Sequence, residues 1–282
     1  MTLSRADASR QLDGAGLRAK RALGQNFVVD PNTVRRIARL GGIDQHPHVL
    51  EIGAGLGSLT LALAETGAQV TAVEVDDQLL PLLNENVGNL DNVRVVHADA
   101  MKLDWDALLA GGDSWALVAN LPYNVATPLV ADVLDFVPKV QRMLVMVQKE
   151  VGERFCATPS TGAYGALSVK VAFHARARIA GLVPASVFLP RPNVESALVE
   201  IVRHDAPIDP TVDPKKLFSL VRGGFAKRRK MLRGALSGVV TPEQFESACI
   251  APTARAEELT VHDWIRLSHA VTGSATADGA GA

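Results

Sequence analysis

Three features of this 282-residue chain predict an α/β fold with a smaller helical domain at its end. Short β-branched runs alternate with helix-spaced stretches from residue 48 onward, a glycine-rich turn follows the first of those runs, and beyond residue 214 the pattern becomes helical and basic. Residues 48–52, 70–75, 93–97, 115–119 and 143–147 read as strands. Between them Leu59, Leu61, Leu63 and Ala64, then Leu79, Leu82 and Leu83, then Leu129, Val130, Val133 and Leu134 recur at helical spacing. Two further apolar runs, 167–173 and 197–202, complete an expected sheet of about seven strands. Residues 1–204 therefore form one domain with an N-terminal extension, and the Pro- and Asp-rich stretch 205–214 reads as a linker. A helical domain spans 215–272. In it residues 215–237 form a single amphipathic helix broken or bent near Gly223 and Gly224, and Thr241-Pro242-Glu243-Gln244 has the form of a capping box. The small polar tail 273–282 is expected to be disordered.

Composition narrows the functional classes. With 48% hydrophobic residues the chain can bury a sizeable core. No window approaches the ~18 uninterrupted apolar residues of a membrane span, and residues 1–10 lack the apolar centre of a signal peptide, so a cytoplasmic address is expected. Cys156 and Cys249 lack a partner motif and read as small hydrophobes; His46-Pro47-His48 lacks a carboxylate or thiol nearby, and no metal site is expected. The net charge of −1 hides a strong asymmetry. Residues 214–272 hold ten Lys/Arg against five Asp/Glu, a net of +5, so the rest of the chain carries −6. The cations concentrate in Arg222, Lys227, Arg228, Arg229, Lys230 and Arg233, with a second cluster at Arg18, Lys20 and Arg21. Such patches attract phosphates, although a run of four cations also fits a solvated helix face.

Chemistry is suggested by what stands at the strand ends. Gly53, Gly55 and Gly57 follow the first strand with the spacing G-x-G-x-G, and Ser58 stands where a dinucleotide fingerprint would have its third glycine, which argues against a pyrophosphate cofactor. Glu74 closes the next strand, 21 positions after Gly53, where a carboxylate can accept hydrogen bonds from both ribose hydroxyls. Asp99 follows the third strand and could accept an adenine amino group or simply cap a helix. Asn120-Leu121-Pro122-Tyr123 ends a fourth apolar run. An amide, a peptide carbonyl and an aromatic ring at one strand end can hold an exocyclic amino group and its flat ring, which suggests methylation of a base nitrogen.

These features resemble a class I (Rossmann-like) S-adenosyl-L-methionine-dependent methyltransferase. Within that class the chain resembles the ribosomal RNA adenine dimethyltransferase family, and its small-subunit branch in particular. The resemblance runs from about Lys20 to His269 through Leu23-Gly24-Gln25-Asn26-Phe27, EIGAGLG, Asn120-Leu121-Pro122-Tyr123, Gln148-Lys149-Glu150, Ala163-Tyr164-Gly165, Phe188-Leu189-Pro190-Arg191-Pro192 with Val194 and Ser196, and Phe225 with Arg228-Arg229-Lys230. It implies that Gln25, Asn26 and the backbone of Val28 touch the donor. It places Gly53 beneath the donor's methionine part, Glu74 at its ribose, Asp99 at its adenine, and Asn120 between donor and acceptor. Asn120 and the Leu121 carbonyl would hold the target amine, with Tyr123 and Phe188 stacking on the base, although Phe188 also fits as a core aromatic. The implied partner is 16S rRNA in the immature small ribosomal subunit, dimethylated at N6 of two adjacent adenosines and gripped by the basic residues of 215–272. Nothing in the sequence asks for an obligate oligomer. The competing readings are a large-subunit dimethylase conferring antibiotic resistance, a ribosome-assembly factor that acts by binding, and, more distantly, a DNA adenine methyltransferase.

Overall fold

The computed structural model describes residues 2–42 and 46–277. Its helices are α1 (Arg5–Gly14), α2 (Pro31–Leu40), α3 (Ser58–Ala64), α4 (Leu80–Val87), α5 (Trp105–Leu108), α6 (Ala126–Phe136), α7 (Lys149–Cys156), α8 (Ala166–His174), α9 (Pro214–Ala226), α10 (Leu232–Ala235), α11 (Pro242–Ser247) and α12 (Val261–Ala277). Its strands are β1 (Phe27–Val28), β2 (His48–Ile52), β3 (Gln69–Glu74), β4 (Val93–His97), β5 (Trp115–Asn120), β6 (Val140–Gln148), β7 (Ala175–Val183), β8 (Phe188–Leu189) and β9 (Ser196–Arg203).

Seven of the strands form one sheet in the order β4-β3-β2-β5-β6-β9-β7, while β1 and β8 pair antiparallel on their own. Strands β4, β3, β2, β5 and β6 are mutually parallel, and β9 runs antiparallel to β6. From β2 the chain first winds outward through β3 to β4, then returns to the other side of β2 with β5. That reversal opens a crevice between the carboxyl ends of β2 and β5, the position where open parallel sheets bind ligands. The central strands are apolar on both faces, as helix-covered parallel strands must be: Val49, Leu50, Ala116, Leu117, Val118 and Ala119 are each at most 1% exposed.

Two expectations are corrected here. Residues 167–173 are not a strand but lie in α8, which is opened by a bond from the Gly165 amide to Ser168 Oγ at 3.1 Å, while Ser168 Oγ donates to Arg154 O at 2.6 Å. The seventh strand is β7, where exposed Arg176 and Arg178 punctuate the apolar residues; charged side chains on an edge strand protect it from further pairing and also disguise it as a loop. The single helix expected over 215–237 is instead α9, a turn at 227–230 and α10. The break is not at the glycines, because those serve packing within α9. A Cβ on Gly224 would sit 2.5 Å from the Trp264 ring, and one on Gly223 would sit 3.1 Å from Leu236. The helix ends at Ala226, just before the four adjacent cations, with Lys227 as its C-cap.

The chain divides into two compact units, 1–152 with 177–203, and 153–176 with 204–282. The division thus runs differently from the expected boundary at 204. Tyr164, Val169 and Phe173 share a core with Leu217, Val221, Phe245 and Trp264, and the Tyr164 hydroxyl donates to Leu259 O at 2.7 Å. The stretch 205–214 is also more than a linker, since Val212 is buried in that core and Ile208 packs against it. The capping box at Thr241 is present in both directions, with the Gln244 amide donating to Thr241 Oγ1 at 3.3 Å and the Thr241 amide donating to Gln244 Oε1 at 2.9 Å. Cys156 is half-buried and Cys249 exposed, so neither is an ordinary core residue. α12 continues to Ala277, so the first residues of the tail expected to be disordered are helical; residues 278–282 lie outside the described residues.

Candidate active site at the strand ends

Sequence-local geometry builds the site from the turn after β2. Gly53 and Gly55 have φ of 77° and 59°, in the left-handed region that disfavours other residues. The amides of Gly53 and Ala54 both donate to Val73 O, at 2.8 and 3.1 Å, which ties the turn to β3. A Cβ on Gly55 would lie 3.0 Å from the Phe27 ring, and one on Gly53 would lie 3.5 Å from Pro122, so the turn passes close to both β1 and the Asn120 tetrapeptide. Glu74, at the end of β3, is 5% exposed. Its Oε2 accepts from the Gly55 amide at 2.7 Å and its Oε1 from the amides of Val75 and Asp76 at 3.0 and 2.9 Å. Burial raises this carboxyl above its ordinary value, three backbone donors pull against that, and the charge of Asp76 pushes with it.

Beside Glu74 lies a polar cluster that the sequence does not announce. Asp76 accepts from Lys20 Nζ at 2.7 Å through one oxygen and from Gln25 Nε2 at 2.6 Å through the other, while Gln25 Oε1 accepts from the Lys20 amide at 2.7 Å. Burial raises the Asp76 carboxyl, but Lys20, Gln25 and the Gln78 amide outweigh burial and hold it below its ordinary value. Lys20 is therefore committed to an ion pair and does not form a free cationic cluster with Arg18. The visible signal for this cluster is a second acid two residues beyond Glu74.

The tetrapeptide at the end of β5 is held from several sides. Asn120 Nδ2 donates to Asn26 O at 2.8 Å, which fixes the amide so that Oδ1 remains the acceptor end. Asn26 Nδ2 donates in turn to Gly24 O at 3.1 Å. A Cβ on Gly24 would lie 3.2 Å from Pro122 and 3.5 Å from the Tyr123 amide, so the loop before β1 lies directly against the tetrapeptide. The Tyr123 hydroxyl meets buried Ser196 Oγ at 2.9 Å, and burial raises its phenol above the ordinary value despite that bond. The ring is thereby fixed at its far end.

One cavity at these strand ends is lined by Gln25, Asn26, Val28, Gly53, Glu74, Asn120, Leu121 and Tyr123, eight of the residues singled out from sequence. It is also lined by Glu51 and Ser58, to which the sequence reading gave no role in the site. Ser58 Oγ is buried without a hydrogen-bond partner, which fits a cavity shaped for a polar ligand. Asp99 and Phe188 are not among its lining residues. Asp99 caps the short turn at 100–102, accepting from the Met101 amide at 3.0 Å and pairing with Lys102, so the capping alternative describes it. Phe188 is fully buried in the core beside Val34 and Ile37, and in this arrangement its ring cannot stack on a base. Its place is set by the β1–β8 pairing, Val28 opposite Phe188. In the second unit Arg222, Lys227, Arg228, Arg229, Lys230 and Arg233 are all exposed. Arg228 Nε donates to Glu257 at 2.7 Å and its terminal nitrogen donates to Gly162 O at 3.0 Å.

The profile of the ribosomal RNA adenine dimethylase family matches residues 16–272. The chain belongs to that family. Proteins named ribosomal RNA small subunit methyltransferase A are similar along almost their whole length. The one from Acidothermus cellulolyticus is 44% identical, with 95% of this chain and 94% of that protein covered; the one from Bifidobacterium adolescentis is 42% identical with the same coverage. Among solved structures, a dimethyladenosine transferase from Plasmodium falciparum superposes with a TM-score of 0.69 at 21% identity, covering 84% of this chain and 94% of that one. The 23S rRNA methyltransferase ErmE superposes with a TM-score of 0.67 at 24% identity, covering 87% and 99%. These structural likenesses establish the class I fold, and the family match establishes an rRNA-modifying methyltransferase. Among the described residues no helix is long and apolar enough to cross a membrane.

Proposed function

We propose that this chain uses S-adenosyl-L-methionine to dimethylate N6 of two adjacent adenosines in a hairpin near the 3′ end of 16S rRNA, acting as a cytoplasmic monomer on the immature small ribosomal subunit. The observation that carries the reading is the anchoring of Asn120 by Asn26, which turns its side-chain oxygen into a fixed acceptor at the end of β5. Gln25, Asn26, the backbone of Val28, Gly53 and Glu74 line one cavity with it and are assigned to the donor. Gly53 and Gly55 of the glycine turn line the same cavity, and the orphaned Ser58 hydroxyl fits a donor with a polar amino-acid end.

The donor supplies an electrophilic methyl on a positively charged sulfur. The protein has to supply a correctly aimed nucleophile, and adenine N6 is a weak one because its lone pair is delocalised into the ring. Asn120 Oδ1 and the Leu121 carbonyl accept from the two amino hydrogens, which draws the lone pair toward N6 and directs it along one line. Positioning is then the main source of rate. As the N–C bond forms and the methyl–sulfur bond breaks, the nitrogen acquires a positive charge and loses a proton to water, so no strong general base is needed. Tyr123, pinned through Ser196, offers one fixed face to the base. Phe188 would have to leave its buried position before it could offer the other. The exposed cations of the second unit, Arg222, Lys227, Arg229, Lys230 and Arg233, are assigned to RNA phosphates.

The small-subunit target is preferred because the relatives at 42–44% identity carry that name over 94% of their length. The deciding test is transfer of labelled methyl to undermethylated small subunits and, separately, to protein-free large-subunit RNA, with Asn120→Ala as control. Dimethyladenosine in the small subunit alone, abolished in the variant, is expected. Labelling of the large-subunit RNA would replace the target, and binding without transfer would replace catalysis with an assembly role.

A further inference from the structure

The acidic total outside residues 214–272 hides a second cationic surface, carried by the first unit. At ~100° per residue the α2 stretch from Val34 to Arg39 turns Val34, Ile37 and Ala38 to one side and Arg35, Arg36 and Arg39 to the other. The first three are at most 3% exposed and belong to a core against which Ala180 of β7 packs, while the three arginines are exposed. The Arg36 guanidinium reaches β7, where a Cβ on Gly181 would collide with it. On the same strand the Arg178 side chain is 66% exposed and pairs with Glu200. Arg142 pairs with the other oxygen of Glu200 and donates to Leu40 O, at the end of α2, at 3.2 Å. Five guanidinium groups thus gather on α2, β6 and β7.

The fold does not account for this grouping. Among the described residues two carboxylates face these arginines, Glu200 and, just past α3, Glu65, which feels the Arg35 charge; five cations less two anions leave a surplus of three. Arg35 and Arg39 stand at i and i+4, where like charges repel. Arg39 lies in the last turn and complements the helix dipole, but Arg35 and Arg36 lie before it. A surplus kept against its own repulsion calls for a partner of opposite charge. All five cations are Arg, and a guanidinium binds phosphate through two parallel hydrogen bonds where an ammonium offers only a point charge. No large apolar residue is exposed on α2, so a lipid surface would find nothing to bury.

We propose that Arg35, Arg36, Arg39 and Arg178 form a second RNA-binding surface, which takes the phosphate backbone of an rRNA segment other than the target hairpin; this extends, and rests on, the rRNA target. No described residue from 30 to 42 lines the cavity. Arg142 stands four residues before Met146, the β6 partner of Asn120, about 13 Å back along the strand. The arginines therefore lie toward the amino ends of the parallel strands, while the reacting base is held at the carboxyl ends. One stretch of RNA serves the cavity and another serves α2.

The test compares the full wild-type chain with the variant carrying Arg35→Gln, Arg36→Gln and Arg39→Gln, on two probes: undermethylated small subunits, and a short RNA hairpin with two adjacent adenosines in its loop. On subunits the variant should bind about tenfold or more weakly at low salt, and its slope of log affinity against log salt should be shallower by about 2 to 3, at roughly 0.7–0.9 for each of three phosphates no longer neutralised. Hairpin affinity should hold within about twofold, because the hairpin lacks the second segment. Hydroxyl-radical footprinting should show rRNA backbone outside the target hairpin protected by the wild type and open with the variant. Adding Arg178→Gln should flatten the slope further, by less than one phosphate's share, since Glu200 already holds part of that charge. An unchanged S-adenosylmethionine affinity and melting temperature show that the variant is folded. Unchanged subunit affinity and slope, an equal loss on the hairpin, or identical footprints would overturn the proposal and leave the rRNA target standing. A wild-type chain that binds S-adenosylmethionine but no small subunits would remove that target itself.

Discussion

The cavity at the strand ends and the cationic turn at 227–230 treat charge in opposite ways. In the cavity and just beside it Glu51, Glu74 and Asp76 are at most 5% exposed, and each is held by named donors: a hydroxyl for Glu51, three backbone amides for Glu74, an ammonium and an amide for Asp76. In the turn Lys227, Arg228, Arg229 and Lys230 stand exposed, with Arg228 engaged by Glu257 and Gly162. Buried, partnered groups keep one geometry and respond strongly to loss of a partner. Exposed ones adapt to a polyanion and are screened by salt. The contrast assigns orientation to the first region and affinity to the second, and it can be broken by experiment.

The largest effect is expected from Asn120→Ala. It removes the anchored acceptor without adding charge, so kcat should fall roughly 10²- to 10³-fold, the scale typical for loss of one fixed hydrogen-bonding group at a reacting centre, while RNA affinity stays near wild type. A loss that appears in RNA affinity with kcat preserved would show that the cavity also serves as the grip. Asp76→Ala comes next. It leaves Lys20 Nζ and Gln25 Nε2 without their shared acceptor, and should cost about 1–3 kcal/mol of stability and weaken donor binding by loosening Gln25. A melting curve and a donor titration read the two separately. An unchanged donor affinity would detach this cluster from the site.

How far the site can be read from the sequence follows the same division. The glycine turn, Glu74 and Asn120-Leu121-Pro122-Tyr123 are legible because chemistry and local conformation coincide there: left-handed glycines after a strand, an acid at a strand end, an amide ahead of a proline. Glu51, Ser58 and Asp76 are not, since a polar residue inside a motif shows its burial only once its neighbours are placed. The sheet is legible wherever strands are apolar, and fails at β7, whose arginines mark an edge. Gly223 and Gly224 mislead for a related reason. Glycine in a helix signals a break unless another side chain needs the space, and the Trp264 ring that needs it is forty residues away in the chain. Phe188 shows a further limit, because a motif places an aromatic in the chain but not in the pocket or the core.

For the cationic turn, Arg229→Glu combined with Lys230→Glu should weaken RNA binding about tenfold or more at low salt. The slope of log affinity against log salt should become shallower by roughly 0.7–0.9 for each phosphate that is no longer neutralised. kcat at saturating RNA should hold. An unchanged slope would mean that these cations are a solvated face, and the search for the grip would move to Arg222 and Arg233.

Arg228 gives the smallest and most discriminating effect, because it belongs to both sides of the comparison. It lies in the cationic turn, yet its guanidinium spans the 3₁₀ turn at 256–258, through Glu257, and the loop at Gly162. A half-exposed ion pair contributes at most about 1 kcal/mol, and the bond to Gly162 O adds a comparable amount. Arg228→Ala should therefore lower the melting temperature by a few degrees, where Arg229→Ala leaves it unchanged. In RNA binding the order reverses: Arg229→Ala should reduce the salt slope, and Arg228→Ala should reduce it less, because its charge is already shared with Glu257. If the two variants were indistinguishable in both measurements, Arg228 would be a phosphate ligand like its neighbour, and the ion pair to Glu257 would have to open whenever RNA is bound.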